Sequence, residues 1–522
     1  MKVMDEFIQV LKKYQGQERP DIPAFYNTVF PMQQELLSVK DLKLKEKEQL
    51  CQFIVDHYED FHDFIKIYLD SFLAYQFDDQ QYTMRLLRLV KSSPFLTKEN
   101  WMYVYYQMLS YGFHVPSIKS EGTRKMLREM YCTIYEYYRK KLQVEKDIVP
   151  VHKRNPKLVV FFISQFLNEN HGPTKTVLDR CYALSKSMGM RTIIINTAEM
   201  VNKKGGIPIF AAFQGNYSKL LNEYDSLSYK EFNFPFSQCS DTMPNIPEMK
   251  SIIDLIKQLN PYCIFHVGGN SFTADICSNY YPLINVATVP SGITTTQGQF
   301  QLTGKHFTED DIAYVKSYGL TDNHLQYCLF TSTVMHQMGK MSREECGIPE
   351  DKFAVLVVGA RLGFEVDSDF IENALLPIME QGEFIVFAGR FEEYDKMIEK
   401  YPLLKNNSVN MGFVKDILAL NEICDAYANP KRTGGGTSVV EAMIKGLPPV
   451  TLPGGDVALG AGEEFQVANY DEMASRLLQL RDDSNYYKEM SEKALARVKI
   501  LTDTESAFLD AFHRIEQMEE FQ

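Results

Sequence analysis

Over the first 150 residues, apolar positions recur at intervals of three and four and show no convincing strand alternation. FHDFIKIYLDSFLAYQ (61–76) and WMYVYYQMLSYGF (101–113) gather aromatic and aliphatic side chains at helical spacings. SSPFLTKENW supplies a turn and a helix start. The pattern predicts an all-α N-terminal domain over 1–150, and its aromatic stripes read as helix-bundle core. The basic run VHKRNPK (151–157) reads as a linker.

The period then changes. KLVVFFISQF (157–166) is a short apolar, β-branched run, TVLDRCYALSKSMGM (176–190) is helical, and RTIIINTA (191–198) is a second strand. Strand, helix and strand at this spacing predict a parallel βαβ unit. PYCIFHVGG, PLINVATVP and QYCLFTST extend the strand series, and IPEMKSIIDLIKQL supplies a helix before the first of them. The result is a Rossmann-like domain over 151–340. A second series gives strands at FAVLVVGA, EFIVFAG, SVNMGFV, DAYANP and LPPVTLPG. Its helices are DFIENALLPIMEQG, ending at Gly382, and TSVVEAMIKG. This predicts a second Rossmann-like domain over 341–500, with a helical tail over 501–522 packing back. The expected fold class is therefore α/β, two doubly wound domains facing a cleft, preceded by helices. Ligands in such sheets bind beyond the carboxyl ends of the strands.

Composition narrows the partners. The 522 residues suffice for several domains, and 45% hydrophobic content suffices for their cores. A formal net charge of −13 argues against nucleic acid as a partner. The nine cysteines stand singly, with no CxxC pair, so buried thiols in a reducing compartment are expected rather than a zinc site. The opening MKVMDEFIQVLKKYQ has early acids and no long apolar stretch, unlike a secretory signal. No apolar window of about 20 residues predicts a membrane span. These features predict a cytoplasmic protein.

Candidate chemistry lies at predicted strand ends. In KRTGGGTSVVEAMIKG (431–446), glycines precede a helix whose first N–H groups have no partners within it. Gly434, Gly435, Gly436, Thr437 and Ser438 suit a diphosphate, with Lys431 and Arg432 adding charge. The competing reading is a capping box, Ser438-x-x-Glu441, which commits both side chains to the helix. Arg361, after FAVLVVGA, is placed to reach a phosphate. Arg390, after EFIVFAG, is the weaker candidate. MGFVKD (411–416) offers Gly412, Phe413 and Val414 to a nucleobase. In SQFLNENHGPTKT, His171 is a candidate base, and Thr174 and Lys175 either start the helix or touch ligand. His266, in HVGGNS, is the competing base. TVPSGITTTQGQ (288–299) is a polar loop that could touch a sugar or acceptor.

The segment NEICDAYANPKRTGGGTSVVEAMIKGLPPVTLPGGD (421–456) resembles the donor-binding region of GT-B fold glycosyltransferases. The likeness is to the O-GlcNAc transferase group and its bacterial relatives that modify adhesins. The resemblance implies that Thr437 and Ser438 hold the diphosphate and that Glu441 binds the ribose hydroxyls. Arg361 falls where that family places a phosphate-binding lysine. His171 matches the family histidine of the first strand-to-helix loop. The tail YDEMASRLLQLRDDSNYYKEMSEKALAR is also similar to the retaining, glycogen-synthase-like group. That group carries a second acid eight residues before Glu441, where this chain has Thr433. The departure favours inversion and leaves stereochemistry open.

The implied activity is transfer of a sugar from a nucleotide sugar, a UDP-sugar by the resemblance, to a protein or glycan acceptor. No DxD-like acidic motif predicts an essential metal, and no cofactor is expected. The helical N-terminal region would bind the acceptor or a partner, and homo- or hetero-oligomers are both compatible. Two alternatives remain at this stage: an inactive GT-B partner or chaperone subunit, and a sugar-nucleotide epimerase.

Overall fold

The first helices start and stop where side chains supply backbone partners. Asp21 accepts from Ala24 N–H at the start of Ile22–Val29. Asp63–Phe77 stops at Asp78, whose φ of 50° is left-handed. Lys98–Tyr111 opens with a reciprocal capping box between Thr97 and Asn100, and Ser120 caps Glu121–Lys141. The structure, a computed structural model of the chain, describes residues 2–522 except 38, 40–43, 113–114, 169–170, 202–203, 214, 290–291, 335 and 433. Thr433 therefore lies outside the described residues, as do two positions of the 288–299 loop.

By its contacts the chain forms two units. The first holds Met1–Thr174, Arg191–Leu283 and Thr295–Gly298; the second holds Lys175–Met190, Ile284–Thr294 and Gln299–Gln522. These divisions do not follow the sequence boundaries at 150 and 340. The physical reason in the first unit is a shared core. Tyr105, Tyr131 and Ile134 of the late N-terminal helices lie in one buried cluster with Leu158, Val160 and Phe162 of the sheet. A second cluster, from Met4 through Leu73, takes in Phe210.

In the first unit, β1 (Asn155–Ile163), β2 (Arg191–Asn196), β3 (Ser226–Tyr229), β4 (Phe232–Gln238) and β5 (Pro261–Val267) run in the order β3-β4-β2-β1-β5. β1 pairs in parallel with β2 and β5, and every residue of β1 from Leu158 onward is buried. A strand covered on both faces reads as an unbroken apolar run. β3 and β4 form an antiparallel hairpin that apolar runs did not signal. Its sequence, SLSYKEFNFPFSQ, mixes aromatic and polar positions.

In the second unit, β6 (Leu283–Val286, from Ile284 on), β7 (Phe300–Thr303) and β8 (Leu325–Tyr327) form a parallel ladder. β9 (Ala354–Gly359), β10 (Phe384–Gly389), β11 (Ser408–Asn410), β12 (Ala426–Asn429) and β13 (Pro449–Thr451) form a parallel sheet in the order β11-β10-β9-β12-β13. Of QYCLFTST only Gln326 and Tyr327 are strand, as the end of the three-residue β8. The segment read as one regular helix to Gly382 contains a π-type turn, Ile371–Leu375, just before Pro377. Proline has no N–H to donate, so the ladder widens there. The tail helix Thr504–Glu516 packs back on β8, where Arg514 Nη2 donates to the Tyr327 carbonyl at 2.5 Å. Among the described residues no helix is long and apolar enough to cross a membrane.

Candidate functional site

The glycine segment follows β12 and opens the helix Gly436–Ile444. Its cap is Gly435, at φ 95°, with no side-chain cap bond. Ser438 is the third helical residue, so the capping box does not form. Its N–H turns back to the Gly435 carbonyl at 3.1 Å. Among the described residues the N–H groups of Gly436 and Thr437 have no partner, and neither has the Thr437 hydroxyl. An uncapped N-terminus with about half a positive charge favours an anion.

The loop is braced from beneath. The Arg432 side chain, 4% exposed, donates from Nη1 to the Val358 carbonyl at 2.6 Å and to Glu365 Oε2 at 3.0 Å. From Nη2 it donates to Tyr427 Oη at 2.8 Å and to Ser438 Oγ at 3.2 Å. Ser438 Oγ in turn donates to the Gly435 carbonyl at 2.7 Å and lies 2.8 Å from Tyr427 Oη. Two side chains assigned to phosphate from the sequence, Arg432 and Ser438, are thus committed inside the protein, because they sit below the loop rather than above it. A Cβ on Gly435 would stand 2.8 Å from the Arg432 guanidinium.

Arg361 does sit beside the loop. It precedes the short helix Leu362–Glu365, and its Nη2 donates to Glu365 Oε1 at 3.2 Å. The same nitrogen lies 3.8 Å from where a Cβ on Gly434 would be. Glu365 therefore accepts from Arg361 and Arg432 together. Sequence reading passed over it, although its i+4 spacing from Arg361 is that of a helical ion pair. The Lys431 side chain is exposed, and its backbone N–H donates to Tyr470 Oη at 2.9 Å. Arg390 is engaged with Glu392 at 2.6 Å.

Glu441 lies on the second turn of the helix, half-buried and without a hydrogen bond among the described residues. Burial pushes its carboxyl up to about 7, against the opposing pull of Lys175 in the same unit. After β11, Gly412 takes φ 59°, and its carbonyl accepts from Gly389 N–H at 2.7 Å. Phe413 is 87% exposed, and Val414 is half-buried.

The two histidines of the first unit differ sharply. His171 is half-buried at the start of the helix Gly172–Met188, with Nδ1 2.9 Å from Thr174 Oγ1. Burial lowers its pKa to about 4, so the imidazole is neutral at ordinary pH. Thr174 is 1% exposed and accepts from Leu167 N–H at 3.1 Å, so its role is to hold this turn. His266 lies within β5 rather than beyond it, with no accessible surface and Nε2 3.1 Å from Ser164 Oγ. A sealed imidazole reaches no acceptor, so the competing base is corrected to a core residue. The turn that follows, Gly268, Gly269 and Asn270, has positive φ throughout. Tyr105 and Tyr106 hold it, donating to Asn270 Oδ1 at 2.5 Å and to its carbonyl at 2.7 Å. Among the described residues no three His, Cys, Asp or Glu side chains gather as metal ligands.

No family model matches the chain, and no curated protein matches it. Solved structures do. A point mutant of the Thermobaculum terrenum O-GlcNAc transferase aligns with 92% of this chain and 96% of its own, at 13% identity and a TM-score of 0.51. Anabaena HepE in complex with UDP aligns with 69% of this chain and 100% of its own, at 12% identity and a TM-score of 0.47. The pneumococcal O-GlcNAc transferase GtfA, in complex with UDP and GlcNAc, aligns with 70% of this chain and 100% of its own, at 9% identity and a TM-score of 0.43. The first of these likenesses shows the fold alone: this chain has the GT-B architecture.

Proposed function

We propose that this chain is a glycosyltransferase that moves a hexosyl or N-acetylhexosaminyl group from a UDP-sugar to a protein or glycan acceptor, without a metal. The observation that carries the reading is the uncapped start of the helix Gly436–Ile444, with Arg361 beside the glycines. When the sugar leaves, negative charge grows on the diphosphate oxygens. The N–H groups of Gly436 and Thr437, the Thr437 hydroxyl and the Arg361 guanidinium suit that charge, and the backbone donors are already fixed by the helix. Glu441 as a carboxylate would accept from both ribose hydroxyls. The Phe413 ring and the Gly412 backbone are the proposed surface for the base. UDP is the nucleotide that the sequence resemblance implies.

His171 is the proposed base for the acceptor hydroxyl. Its neutral form can take a proton, provided that Nδ1–H donates to Thr174 and leaves the lone pair on Nε2. A pKa near 4 makes it a weak base, so it would act late, as the acceptor proton becomes acidic in the transition state.

The test is release of UDP from UDP-GlcNAc and UDP-glucose by the purified chain, with mass analysis of candidate acceptors. UDP release together with an acceptor mass gain supports transfer. Binding of UDP with no release from any donor supports an inactive partner subunit instead. Conversion of the donor to its epimer supports an epimerase.

A further inference from the structure

We propose that Glu365 is a positioning residue of the diphosphate cradle, holding Arg361 in register with the glycine loop. The inference deepens the donor reading above and rests on it. The cradle is made of two chain segments, the end of β9 with Arg361 and the end of β12 with Gly434, Gly435 and Gly436. Nothing in the sequence joins them. One carboxylate does: Glu365 Oε1 accepts from Arg361 at 3.2 Å, and Oε2 accepts from Arg432 at 3.0 Å. Arg432 stands two residues before Gly434, so the bridge runs from the loop itself, through the carboxylate, to Arg361.

Two glycines make room for the bridge. A Cβ on Gly359 would stand 2.6 Å from Glu365 Oε2 and 2.7 Å from Arg432 Nη1. A Cβ on Gly435 would meet Arg432 from the other side at 2.8 Å. The Glu365 and Arg432 side chains are 9% and 4% exposed, whereas Arg361 is 32% exposed. The inner arm of the bridge is thus sealed and the outer arm is partly exposed. The buried Arg432 holds one oxygen of the carboxylate, and the carboxylate so held limits the arc through which Arg361 can swing. Glu365 would touch no substrate atom. It would act by reducing the ordering that Arg361 must undergo when phosphate arrives.

The experiment is calorimetric titration of the full chain with UDP and with uridine, in the wild type, Glu365→Gln, Arg361→Ala and the double variant. Glu365→Gln is expected to weaken UDP by about tenfold, on the scale of one charge-assisted hydrogen bond, and to leave uridine unchanged. In the Arg361→Ala background the same change should cost UDP binding nothing further, because its effect passes through Arg361. Wild-type UDP affinity in Glu365→Gln overturns the proposal. So does an equal loss in both backgrounds, which marks Glu365 as merely structural. A wild type that binds UDP no better than buffer overturns the donor reading and the proposal together. Thermal melts accompany each titration. Should Glu365→Gln fail to fold, Gly359→Ala keeps every charge but crowds the carboxylate, and it must show the same loss for UDP and not for uridine.

Discussion

Two turns in this chain carry the same signal and do opposite things. GGNS (268–271) and GGGTS (434–438) each follow a parallel strand, each contain consecutive glycines, and each lead into a helix. At the first, Ser271 caps the helix and accepts from Ala274 N–H at 3.2 Å. Two tyrosines tie down Asn270, and His266 disappears into the sheet. At the second, a glycine occupies the cap, and the nearest serine lies inside the helix and bonds back to the loop. One turn satisfies its own backbone and the other leaves donors for a ligand. Glycines after a strand are therefore a weak sign of an anion site. The residue at the cap decides, because a side-chain oxygen there takes the N–H groups an anion would need.

The strongest way to break the comparison is to remove the cation of the open turn. Arg361→Ala should lower turnover by about 10² to 10³, the scale of a lost oxyanion donor, with little change in melting temperature. Retained turnover would remove Arg361 from the site. Next come the two histidines. His171→Ala should lower transfer by about 10² or more with the fold intact, as expected for a general base. His266→Ala should instead show as a lower melting temperature, since it opens a hole within β5. A reversal of those outcomes would make His266 the functional one.

A finer test pairs one hydroxyl from each turn. Thr437→Val should weaken UDP by about tenfold and leave stability unchanged. Ser271→Ala should cost about 1 kcal/mol of stability through the lost cap and leave UDP affinity unchanged. UDP titrations and urea melts on both variants check the pair, and equal effects at the two turns would erase the distinction drawn above.

The smallest effect is in pH. The Glu441 carboxyl titrates near 7 when folded, above its ordinary range, because of burial. Between that range and pH 7 the folded state therefore holds a proton that the unfolded state has lost. This contribution to stability falls as pH rises through that window. Glu441→Gln should flatten that part of the slope in melts between pH 4 and 8. UDP affinity should rise a few-fold more through pH 7 in the wild type, as the carboxylate forms, than in the variant, where only the terminal phosphate of UDP titrates. A wild-type pH profile no steeper than that of the variant would take Glu441 out of the ribose site.

Much of the fold was legible because buried parallel strands advertise themselves. LVVFFI and AVLVVG are apolar at every position, and each is a central strand. The β3–β4 hairpin was not legible, because its mixed aromatic and polar positions carry no such run. That the glycines open a helix and that Arg361 follows β9 were also readable, since those features are local: a missing Cβ, a helix start, a cation after a strand. Ser438 and Arg432 were misread because direction is not local. Whether a side chain faces the ligand or the core depends on what lies beneath the loop, and Tyr427, Val358 and Glu365 come from other segments.

The sequence by itself determined the period of each segment, and with it the succession of helices and parallel strands, because burial on one face or two imposes its own spacing. It also determined which backbone positions lack a Cβ. Only the tertiary structure decided which of the two glycine turns stays open, which histidine is sealed, and that one carboxylate joins Arg361 to Arg432. Those outcomes rest on hydrogen bonds between residues far apart in the chain. A buried polar group must find a partner wherever the fold brings one, and spacing along the sequence does not say which.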